Sequence, residues 1–495
     1  MTDPGFEPLY TAAEMRAAEE TYAGPTFDLM WRAGVAVAEE AAARYPDAAR
    51  FSVWCGTGAN GCDGFVAAQA LRGAGRDATI FLTGPEEKVT GDAAEALRRA
   101  KEGGVRLADV PAEADVVIDA LLGTGLSGAP RRETAARIEE LGRLGLPVLS
   151  VDVPSGVDAS TGRSPGPAVQ ADVTVTFHGK KLGLSVAPGL HCAGEIVVAD
   201  IGLEGGTTRN HAVTEEILGS VPRRGPSDTK YSAGFVLVVG GSTGLTGAPF
   251  LASEAAMRAG AGYVRACVPD AAATVLAQRF VEVTLAPQPG DDEGRLVAEA
   301  ADGILEAAER ADAVAIGPGL GRSDGVRALV RILLDRIELP VVLDADGLWA
   351  LAGHLEWVFS RDAPTVLTPH SGELGRLLDR DPSWVDANRL DAVSGAADDA
   401  GAVVLLKGAD TLVAAPGRGV LVSGLGTSGL ASAGTGDVLT GVVSAFLAKG
   451  MDPQRGAAAA AAACGVAARE ASERHGFAGL IARDVIEALS PVLSR

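Results

Sequence analysis

The chain reads Ala433-Gly434-Thr435-Gly436-Asp437-Val438-Leu439-Thr440-Gly441 at the start of an apolar helical pattern. Small residues in such a loop let backbone N–H groups close on an anion at the N-terminus of the following helix. An Asp in the first turn of that helix can accept a proton from a hydroxyl group as a phosphoryl group arrives. Asp is also favoured as a helix cap. The loop alone therefore leaves Asp437 either a catalytic base or a cap.

Further loops in the same half of the chain follow predicted strands and carry glycine or acidic residues. They are Gly240-Gly241-Ser242, Gly317-Pro318-Gly319-Leu320-Gly321, Asp344-Ala345-Asp346, Thr368-Pro369-His370-Ser371-Gly372-Glu373 and Lys407-Gly408-Ala409-Asp410-Thr411. In an open parallel sheet, ligands bind beyond the carboxyl ends of the strands, where these loops would meet. One such loop is a weak signal, but the series predicts a phosphoryl-transfer site centred on Asp437.

Short runs rich in Val, Ile and Leu alternate with helical patterns through the whole chain, which indicates α/β domains with buried parallel sheets. The predicted strands are 51–55, 78–82, 115–121, 148–153, 172–177 and 195–198 in the first half, and 235–239, 313–316, 340–343, 365–367 and 402–406 in the second. Predicted helices include 29–44 and 64–71. The segment 203–226, with its glycines and prolines, interrupts the alternation. We therefore predict two domains, 1–215 and 216–495.

The composition limits the class of protein. A length of 495 residues predicts more than one domain. The formal net charge of −21 argues against a nucleic-acid or anionic-membrane partner, because both need basic patches. The five cysteines are scattered and form no C-x-x-C pair, which argues against a disulfide framework or a structural zinc site. The N-terminus lacks a signal-peptide pattern and no apolar run is long enough for a bilayer, so we expect a cytoplasmic protein.

The first half of the chain carries three comparable strand ends. They lead into Gly56-Thr57-Gly58-Ala59-Asn60-Gly61-Cys62-Asp63-Gly64, into Gly123-Thr124-Gly125-Leu126-Ser127-Gly128 after Asp119, and into Asp152-Val153-Pro154-Ser155-Gly156. A lone Gly-x-Gly is also found in ordinary strand-to-helix turns. Asn60, Asp119 and Ser155 are all oxygen ligands, which suit a hard cation rather than zinc or copper.

The second-half motifs together resemble a known family. Gly-Ala-Gly before Tyr263, Gly-Pro-Gly-Leu-Gly, Asp-Ala-Asp-Gly-Leu, Thr-Pro-His-x-Gly-Glu, Leu-Lys-Gly-Ala-x-Thr and Gly-Thr-Gly-Asp-Val-Leu-Thr-Gly follow one another in that order. The series resembles the ribokinase-like superfamily and, within it, the ADP/ATP-dependent NAD(P)H-hydrate dehydratases, over about residues 220–490. Thr-Pro-His-x-Gly-Glu at 368–373 narrows the resemblance to this branch. The resemblance implies a ribokinase-like α/β fold for the second domain.

The same resemblance implies roles for individual residues. The hydrated nicotinamide nucleotide would contact Ala248, Gly319, His370 and Asp437. The adenine nucleotide would contact Lys407, Gly408, Ala409, Asp410, Thr411 and Gly436. Asp437 would be the base for phosphoryl transfer to the ring hydroxyl, with Mg²⁺ bridging phosphate oxygens, so that phosphate leaves in place of hydroxide. His370 could instead cap the helix predicted at 371–378.

The first-half loops resemble the NAD(P)H-hydrate epimerase family over about residues 8–205, which implies a Rossmann-like three-layer sandwich. By that resemblance the K⁺ ligands would be Asn60, Asp119 and Ser155. The substrate pocket would be lined by Ala59, Asn60, Gly61, Cys62, Asp63, Gly123, Thr124, Gly125, Leu126, Ser127, Gly128, Ala129 and Asp152. Asp152 would be the general acid/base that opens and recloses the hydrated ring centre. Its alternative role is a structural hydrogen bond at a strand end.

Two departures from the epimerase pattern leave alternatives open. Ala59 stands in place of an Asn and Cys62 in place of a Gly, so the first domain is either an active epimerase or a degenerate binding module. Cys62 is either a tolerated small residue or a reactive thiol near a helix N-terminus. Lys180 and Lys181 are either exposed lysines or groups that attract substrate phosphates.

Together the resemblances imply a bifunctional NAD(P)H-hydrate repair enzyme. The first domain would interconvert the R and S hydrates, and the second would dehydrate the S form using ADP or ATP, with ADP the expected donor. We expect NAD(P)H hydrates and an adenine nucleotide as ligands, and a homo-oligomer as the assembly. An alternative for the second domain is a vitamin-precursor kinase acting on a small alcohol. The Thr-Pro-His-x-Gly-Glu loop and the fused first domain argue against it.

Overall fold

The computed structural model describes residues 3–495, which divide into two compact units. One unit is Pro8–Asn210. The other is His211–Arg495 together with the described part of Met1–Glu7. The predicted boundary near residue 215 thus lies a few residues beyond the point where the chain leaves the first unit. The α/β fold class predicted for both halves is confirmed.

The first unit contains a parallel sheet flanked by helices. Strand β1 (Phe6–Tyr10) runs across the boundary at Glu7 and lies outside this sheet. The strands of the sheet are β2 (Arg50–Cys55), β3 (Asp77–Leu82), β4 (Arg106–Ala108), β5 (Val116–Ala120), β6 (Val148–Val151), β7 (Val173–Phe177) and β9 (Glu195–Ala199), and the short strand β8 (Lys180–Lys181) pairs with β1. Its helices are α1 (Ala12–Glu19), α2 (Thr26–Arg44), α3 (Ala59–Gly73), α4 (Asp92–Glu102), α5 (Arg132–Arg143) and α6 (Gly189–Cys192). The sheet order is β4-β3-β2-β5-β6-β7-β9, with all strands parallel.

The strand order of this sheet reverses between β2 and β5. The loops after these two strands separate at such a reversal and open a crevice at the carboxyl edge of the sheet. The chain enters that edge through Gly56, where a Cβ atom would lie 2.2 Å from the Leu121 carbonyl oxygen. Only glycine allows this close approach of the two loops.

The second unit is a larger sheet flanked by helices. Its strands are β10 (Asn210–Val213), β11 (Phe235–Val239), β12 (Tyr263–Pro269), β13 (Thr284–Gln288), β14 (Ala313–Ile316), β15 (Val341–Leu343), β16 (Thr365–Leu367), β17 (Val403–Leu406), β18 (Thr411–Ala414) and β19 (Leu421–Ser423). Its helices are α7 (Gly247–Arg258), α8 (Asp270–Ala277), α9 (Ala301–Ala308), α10 (Asp324–Arg336), α11 (Asp346–Leu351), α12 (Glu356–Phe359), α13 (Ser371–Leu378), α14 (Pro382–Ala387), α15 (Arg389–Ala400), α16 (Thr435–Ala448), α17 (Pro453–His475) and α18 (Ala482–Leu493).

The strand order in the second unit is β13-β12-β11-β14-β15-β16-β17-β18-β19-β10. Strands from β13 to β17 are parallel, whereas β18 is antiparallel to both of its neighbours. The predicted strands at 235–239, 313–316 and 365–367 match β11, β14 and β16. Strands β10, β12, β13, β18 and β19 were not predicted. Strand β12 carries Arg265 within its apolar run, and β13 is an edge strand with an internal proline.

The N-terminal segment does not pack where the sequence predicted. Residues 3–7 belong to the second unit rather than to the first domain of 1–215. Thr214 donates a hydrogen bond from Oγ1 to the Pro4 carbonyl oxygen at 2.8 Å, and Arg455 forms an ion pair with Asp3 at 2.5 Å. Phe6 packs against the core of the second unit. Contacts of this kind join residues far apart in sequence, so no local pattern indicates them.

The alanine-rich run at 456–468 forms part of the buried helix α17. Within residues 3–495, no helix combines the length and the apolar character needed to cross a membrane. The run instead belongs to the core of the second unit, where small side chains allow close packing between helices.

Helices α7 and α16 pack in close contact through Gly441. A Cβ atom on Gly441 would lie 2.1 Å from the Ala252 carbonyl oxygen and 2.9 Å from the Ala255 Cβ atom. Both neighbours belong to the rigid interior of α7. The glycine therefore sets the distance between the helix that carries Ala248 and the helix that carries Asp437.

We expect Gly441→Ala to destabilise the second unit by about 1–3 kcal/mol, because the new methyl group forces the two helices apart. Thermal unfolding followed by circular dichroism measures the change. Gly395→Ala is the matched control: Gly395 also lies within a helix, but its Cβ would have no atom within 4 Å. The control should unfold at the wild-type temperature or slightly above it. Equal melting temperatures for Gly441→Ala and wild type would contradict the packing argument.

Candidate active sites

Helix α16 begins at the glycine loop that the sequence singled out. Gly434 is its N-cap residue, with a φ of 92° in the left-handed region that favours glycine. No side chain caps this helix. Asp437 is the third residue of the helix, so the alternative that Asp437 is its N-cap does not hold. The first-turn N–H groups receive no side-chain acceptor from the cap, which is the arrangement that binds anions.

The surroundings of Asp437 favour its protonated form. Burial raises the pKa of Asp437 to about 7, and the carboxylates of Asp344, Asp346 and Glu373 add to the rise. The ammonium group of Lys407 opposes it. A carboxyl group with a pKa near neutrality can both accept and release a proton at physiological pH.

Lys407 is held by two of these carboxylates at the end of β17. Its Nζ atom lies 2.9 Å from Asp344 Oδ1 and 3.8 Å from Glu373 Oε2. Burial by itself would lower the pKa of Lys407, but the two carboxylates outweigh burial and raise it. The side chain therefore carries a positive charge next to Asp437. Gly436 lies against it, since a Cβ atom there would be 3.4 Å from Nζ.

Asp344 connects Lys407 to two further elements. Thr368, after β16, donates a hydrogen bond to Asp344 Oδ1 at 2.9 Å. Thr440, on α16, donates one to Asp344 Oδ2 at 2.7 Å. Both carboxylate oxygens of this buried side chain are thus engaged, and their partners come from three separate parts of the chain. The sequence indicated the Asp-Ala-Asp loop but not this role for Thr440.

The Gly-Pro-Gly-Leu-Gly loop brings two predicted substrate contacts together. Gly317 has a φ of 134°, and a Cβ atom there would lie 1.8 Å from the Asp344 carbonyl oxygen. Gly319 has a φ of 66°, and its Cβ would lie 3.3 Å from the Cβ of Ala248. The loop therefore lies against α7, close to the backbone of the Asp344 loop. A side chain at Gly317 would collide with the Asp344 backbone, and one at Gly319 would crowd Ala248.

His370 is the N-cap of α13. Its Nδ1 atom accepts hydrogen bonds from the N–H groups of Gly372 at 3.0 Å and Glu373 at 3.4 Å. Glu373 in turn accepts one from the His370 N–H at 3.0 Å, which completes a capping box. The capping alternative for His370 is therefore present in the structure. Because Nδ1 is an acceptor, a neutral His370 carries its proton on Nε2, where it can still donate to a substrate.

The buried side chain of Arg389 stabilises the predicted nucleotide loop at 407–411 by hydrogen bonds. The buried guanidinium donates from Nε to Asp410 Oδ2 at 2.9 Å. It also approaches the carbonyl oxygens of Lys407 and Asp410 at 3.4 and 3.3 Å. The Asp410 carboxylate therefore stabilises the loop from within, and a nucleotide would contact this residue through its backbone. Arg389 was not predicted, since it lies outside every motif.

Asp119 is the most deeply buried acidic group of the first unit's candidate site. Ser155 donates to its Oδ1 at 2.6 Å through Oγ and to its Oδ2 at 2.9 Å through the backbone N–H. Ser150 donates to Oδ2 at 2.9 Å. Burial raises the pKa of Asp119, while the serine hydrogen bonds oppose the rise. The structure thus brings Asp119 and Ser155 together, as the sequence predicted.

Asn60 lies in the same cluster. Its side chain is buried, and a Cβ atom on Gly123 would lie 2.8 Å from its Oδ1 atom. Its Nδ2 group has no hydrogen-bond partner. The neighbouring Leu122 N–H donates to Ser155 Oγ at 2.8 Å, which links the loop after β5 to the loop after β6. The buried Asn60 amide therefore lies against the loop after β5, which is hydrogen-bonded to Ser155.

Asp152 pairs with a lysine inside the first unit. Its Oδ1 atom lies 2.8 Å from Lys181 Nζ and accepts a hydrogen bond from Thr176 Oγ1 at 3.1 Å. Lys181 is only 2% exposed and also donates to the Phe177 carbonyl oxygen at 2.9 Å. The alternative that Lys181 is an exposed lysine is therefore wrong, and its ammonium group is paired with Asp152.

The predicted pocket residues 59–63 begin helix α3. Ala59 is exposed, whereas Asn60, Gly61, Cys62 and Asp63 are buried. Burial raises the pKa of the Cys62 thiol strongly, so this cysteine is not a thiolate at neutral pH. The tolerated-residue interpretation of Cys62 is the one the structure supports. Residues 123–129 form the loop after β5, and most of that loop is exposed or half-buried.

Comparisons with known proteins agree with this division. A family profile described as NAD(P)H-hydrate dehydratase matches residues 236–491, and one described as YjeF-related protein N-terminus matches residues 26–183. A crystal structure of the ADP/ATP-dependent NAD(P)H-hydrate dehydratase of Bacillus subtilis, obtained with ATP and Mg²⁺, is 29% identical with a TM-score of 0.50. It covers 57% of this chain and 97% of its own. These matches favour a hydrate dehydratase over a vitamin-precursor kinase.

Full-length relatives are similar across both units. The bifunctional NAD(P)H-hydrate repair enzyme of Moorella thermoacetica is 38% identical over 98% of this chain and 96% of its own length. The enzyme of the same name from Escherichia coli K12 is 33% identical over 97% of this chain and 92% of its own. Similarity of this degree over nearly the whole length shows that the chain belongs to the family of bifunctional NAD(P)H-hydrate repair enzymes.

Proposed function

We propose that the unit Pro8–Asn210 interconverts the R and S hydrates of NADH and NADPH, and that the unit His211–Arg495 dehydrates the S hydrate while consuming an adenine nucleotide. The observation that supports the second half is the position of Asp437. It lies in the first turn of a glycine-capped helix, half-buried among carboxylates and beside Lys407. This arrangement suits proton transfer next to a phosphoryl group.

The chemistry explains why a nucleotide is needed. Hydroxide is a poor leaving group, so direct loss of water from the hydrated ring is slow. Asp437 takes the proton of the ring hydroxyl, and that oxygen accepts the terminal phosphoryl group of the nucleotide. The carbon–oxygen bond of the resulting phosphate ester then breaks, with its electron pair leaving on the phosphate. The neighbouring ring carbon gives up a proton to water, and the ring double bond is restored. The first-turn N–H groups of α16 and the Lys407 ammonium stabilise the negative charge that develops on the transferred group.

The remaining predicted contacts surround this centre. Lys407, Gly408, Ala409, Asp410, Thr411 and Gly436 would hold the adenine nucleotide, and Ala248, Gly319 and His370 the hydrated nicotinamide nucleotide. Mg²⁺ bound with the nucleotide would supply positive charge that neutralises part of the phosphate charge.

For the epimerase half, Asp152 would be the general acid/base and residues 59–63 and 123–129 would line the pocket. The donor set of Asn60, Asp119 and Ser155 fits K⁺, because it consists of buried amide, carboxylate and hydroxyl oxygens. A bound K⁺ would supply positive charge that orders the loops around a substrate phosphate. ADP as the phosphoryl donor, a homo-oligomeric assembly and a cytoplasmic location remain predictions.

We expect separate variants to abolish separate halves of the repair. With mixed-epimer NADH hydrate plus ADP or ATP, the wild type converts both epimers, as followed by the absorbance of the reduced nicotinamide. Asp437→Ala should reduce dehydration about 10²–10⁴-fold while epimerisation continues. Asp152→Ala should leave a conversion that stalls near the S fraction. Full conversion of both epimers by Asp152→Ala would show that its carboxylate is not needed.

The pH dependence of dehydration should report the Asp437 carboxyl group. Its pKa is raised to about 7, and the base must be ionised to accept a proton. The kcat/KM for dehydration should therefore fall about tenfold per pH unit below about pH 7. Initial rates on the purified S hydrate across a pH series measure this. A profile that is flat down to about pH 5.5 would contradict the assignment.

Removal of K⁺ should affect one half only. Dialysis into a tetramethylammonium buffer should slow epimerisation and leave dehydration at its wild-type rate, and added K⁺ should restore the loss in a saturable way. Asn60→Leu removes one proposed oxygen ligand, so its saturation should need about tenfold more K⁺. Epimerisation with the same rate in both buffers would contradict the K⁺ site.

A further inference from the structure

The Lys181 side chain is an unusual feature of the first unit, because its charge is buried. It is 2% exposed, and its Nζ atom lies 2.8 Å from Asp152 Oδ1. Nζ also donates to the Phe177 carbonyl oxygen at 2.9 Å and lies 5.9 Å from the centre of the Phe177 ring. Lysine is seldom this deeply buried unless its charge is paired. The pair with Asp152 therefore has to be intact in the folded protein.

The Asp152 carboxylate is fixed from several directions. Its backbone has a φ of 65°, in the left-handed region that non-glycine residues seldom adopt. Residues held in such conformations are often found at functional sites. Thr176 donates to the same Oδ1 atom at 3.1 Å. Backbone, hydroxyl and ammonium thus determine the direction of one carboxylate at the carboxyl edge of the sheet.

A second carboxyl group stands near the same ammonium. Asp63 is buried on α3, and its Oδ1 atom has no hydrogen-bond partner. Burial raises the pKa of Asp63 well above its usual range, and the charges of Asp152 and Glu19 add to the rise, while Lys181 opposes it. One ammonium group is therefore shared by two buried carboxyls, and close contact with only one of them is present. Asp152 has that contact and Asp63 does not.

We propose that Lys181 is a positioning residue for epimerisation, which holds the Asp152 carboxylate in a fixed direction while Asp63 presents a second carboxyl group to the same pocket. The inference rests on the proposed role of Asp152 as the general acid/base. It adds that the two carboxyl groups have different roles in epimerisation: Asp152 is the base and Asp63 is the acid. Neither Lys181 nor this division follows from the loop motifs.

The division of labour matches the needs of the reaction. The hydrated carbon bears both the hydroxyl group and the ring nitrogen. Asp152 removes the hydroxyl proton, the carbon–nitrogen bond breaks, and its electron pair goes to the nitrogen, which takes a proton from Asp63. The carbon is then a planar carbonyl group. Rotation and reclosure return both protons in the reverse sense, so no atoms are gained or lost and nothing is oxidised.

Removal of Lys181 has a predictable electrostatic sign. The Lys181 ammonium group lies 2.8 Å from Asp152 Oδ1, and the charge of Asp152 also interacts with Asp63 on α3 and Glu19 on α1. Arg16 and His178 act on Glu19 as well. Substitution of the lysine removes the ammonium group that contacts the Asp152 carboxylate and leaves the two acidic neighbours in place. The acid limb of the pH profile for epimerisation should move to higher pH.

The test uses the full chain with the R hydrate as substrate. Lys181→Met should lower kcat for epimerisation about 10²-fold and move the acid limb of kcat/KM up by about one pH unit. In a cycle with Asp152→Ala, the double variant should be no slower than Asp152→Ala alone, since Lys181 acts through Asp152. Dehydration of the S hydrate by the same samples should stay at its wild-type rate, which reports an intact second unit.

Controls separate positioning from folding. Lys101→Met removes an exposed lysine of the same unit, one that pairs with Glu86, and should leave epimerisation unchanged. Asp63→Asn keeps a neutral group at the second carboxyl position but cannot give up a proton. It should fold normally and lower kcat more than it raises KM. If Lys181→Met is unfolded in a thermal melt, the Asp63→Asn variant still tests the proposal.

Three outcomes would overturn the inference. The first is an acid limb that stays at its wild-type pH in Lys181→Met, which would show a merely structural role. The second is an effect of Lys181→Met that multiplies with that of Asp152→Ala. The third is wild-type kcat in Asp63→Asn. Wild-type epimerisation by Asp152→Ala alone would instead overturn the proposed role of Asp152, so the two failures are distinguishable.

Discussion

The ion pair between Lys407 and Asp344 is the interaction on which the second site depends. It joins the end of β17 to the end of β15 at 2.9 Å, and the Thr440 hydrogen bond extends the same connection to α16. A lone buried carboxylate would be strongly unfavourable, so Asp344 has to keep these partners in the folded state. Asp437 then lies where one fixed cation and several fixed carboxylates act on it together, and its protonation follows from that placement.

The first unit uses the same kind of interaction on a different sheet. Lys181 and Asp152 pair at 2.8 Å beside the carboxyl ends of β6 and β7. In both units a lysine is held by an aspartate, and a second carboxyl group nearby has a raised pKa: Asp437 in one and Asp63 in the other. Acid/base chemistry near neutral pH needs such separation between two carboxyls, because identical surroundings would give them similar proton affinities. Burial provides the separation, together with an ammonium group that is in hydrogen-bond contact with one of the two carboxyls and not with the other.

The sequence predicted the parts of both sites that depend on local pattern. Apolar runs that end in glycine or aspartate identified the strand ends, and topology places strand ends at one edge, so Asp119 and Ser155 could be expected to meet. The partners of the buried charges could not be predicted in this way. Asp344 and Thr440 are 96 residues apart, and Arg389 lies outside every motif. The sequence does not distinguish an exposed lysine from a buried one. The pairing of Lys181 with Asp152 could therefore be identified only from the structure. The sequence placed residues 3–7 in the first domain, and the structure assigns them to the second unit for the same reason.

The structure also bears on the two departures from the epimerase pattern. The sequence alone left open that Ala59 and Cys62 alter the pocket and make the first domain a degenerate binding module. Cys62, however, belongs to the hydrophobic core of the first unit, and Ala59 is exposed at the first position of α3. The groups that would do chemistry, Asn60 and Asp63, lie on the same helix and remain buried in the site. A side chain that packs into the core changes the volume there but not the charges that face a substrate. The departures therefore affect the packing of α3 and leave its polar groups in place, which favours an active epimerase.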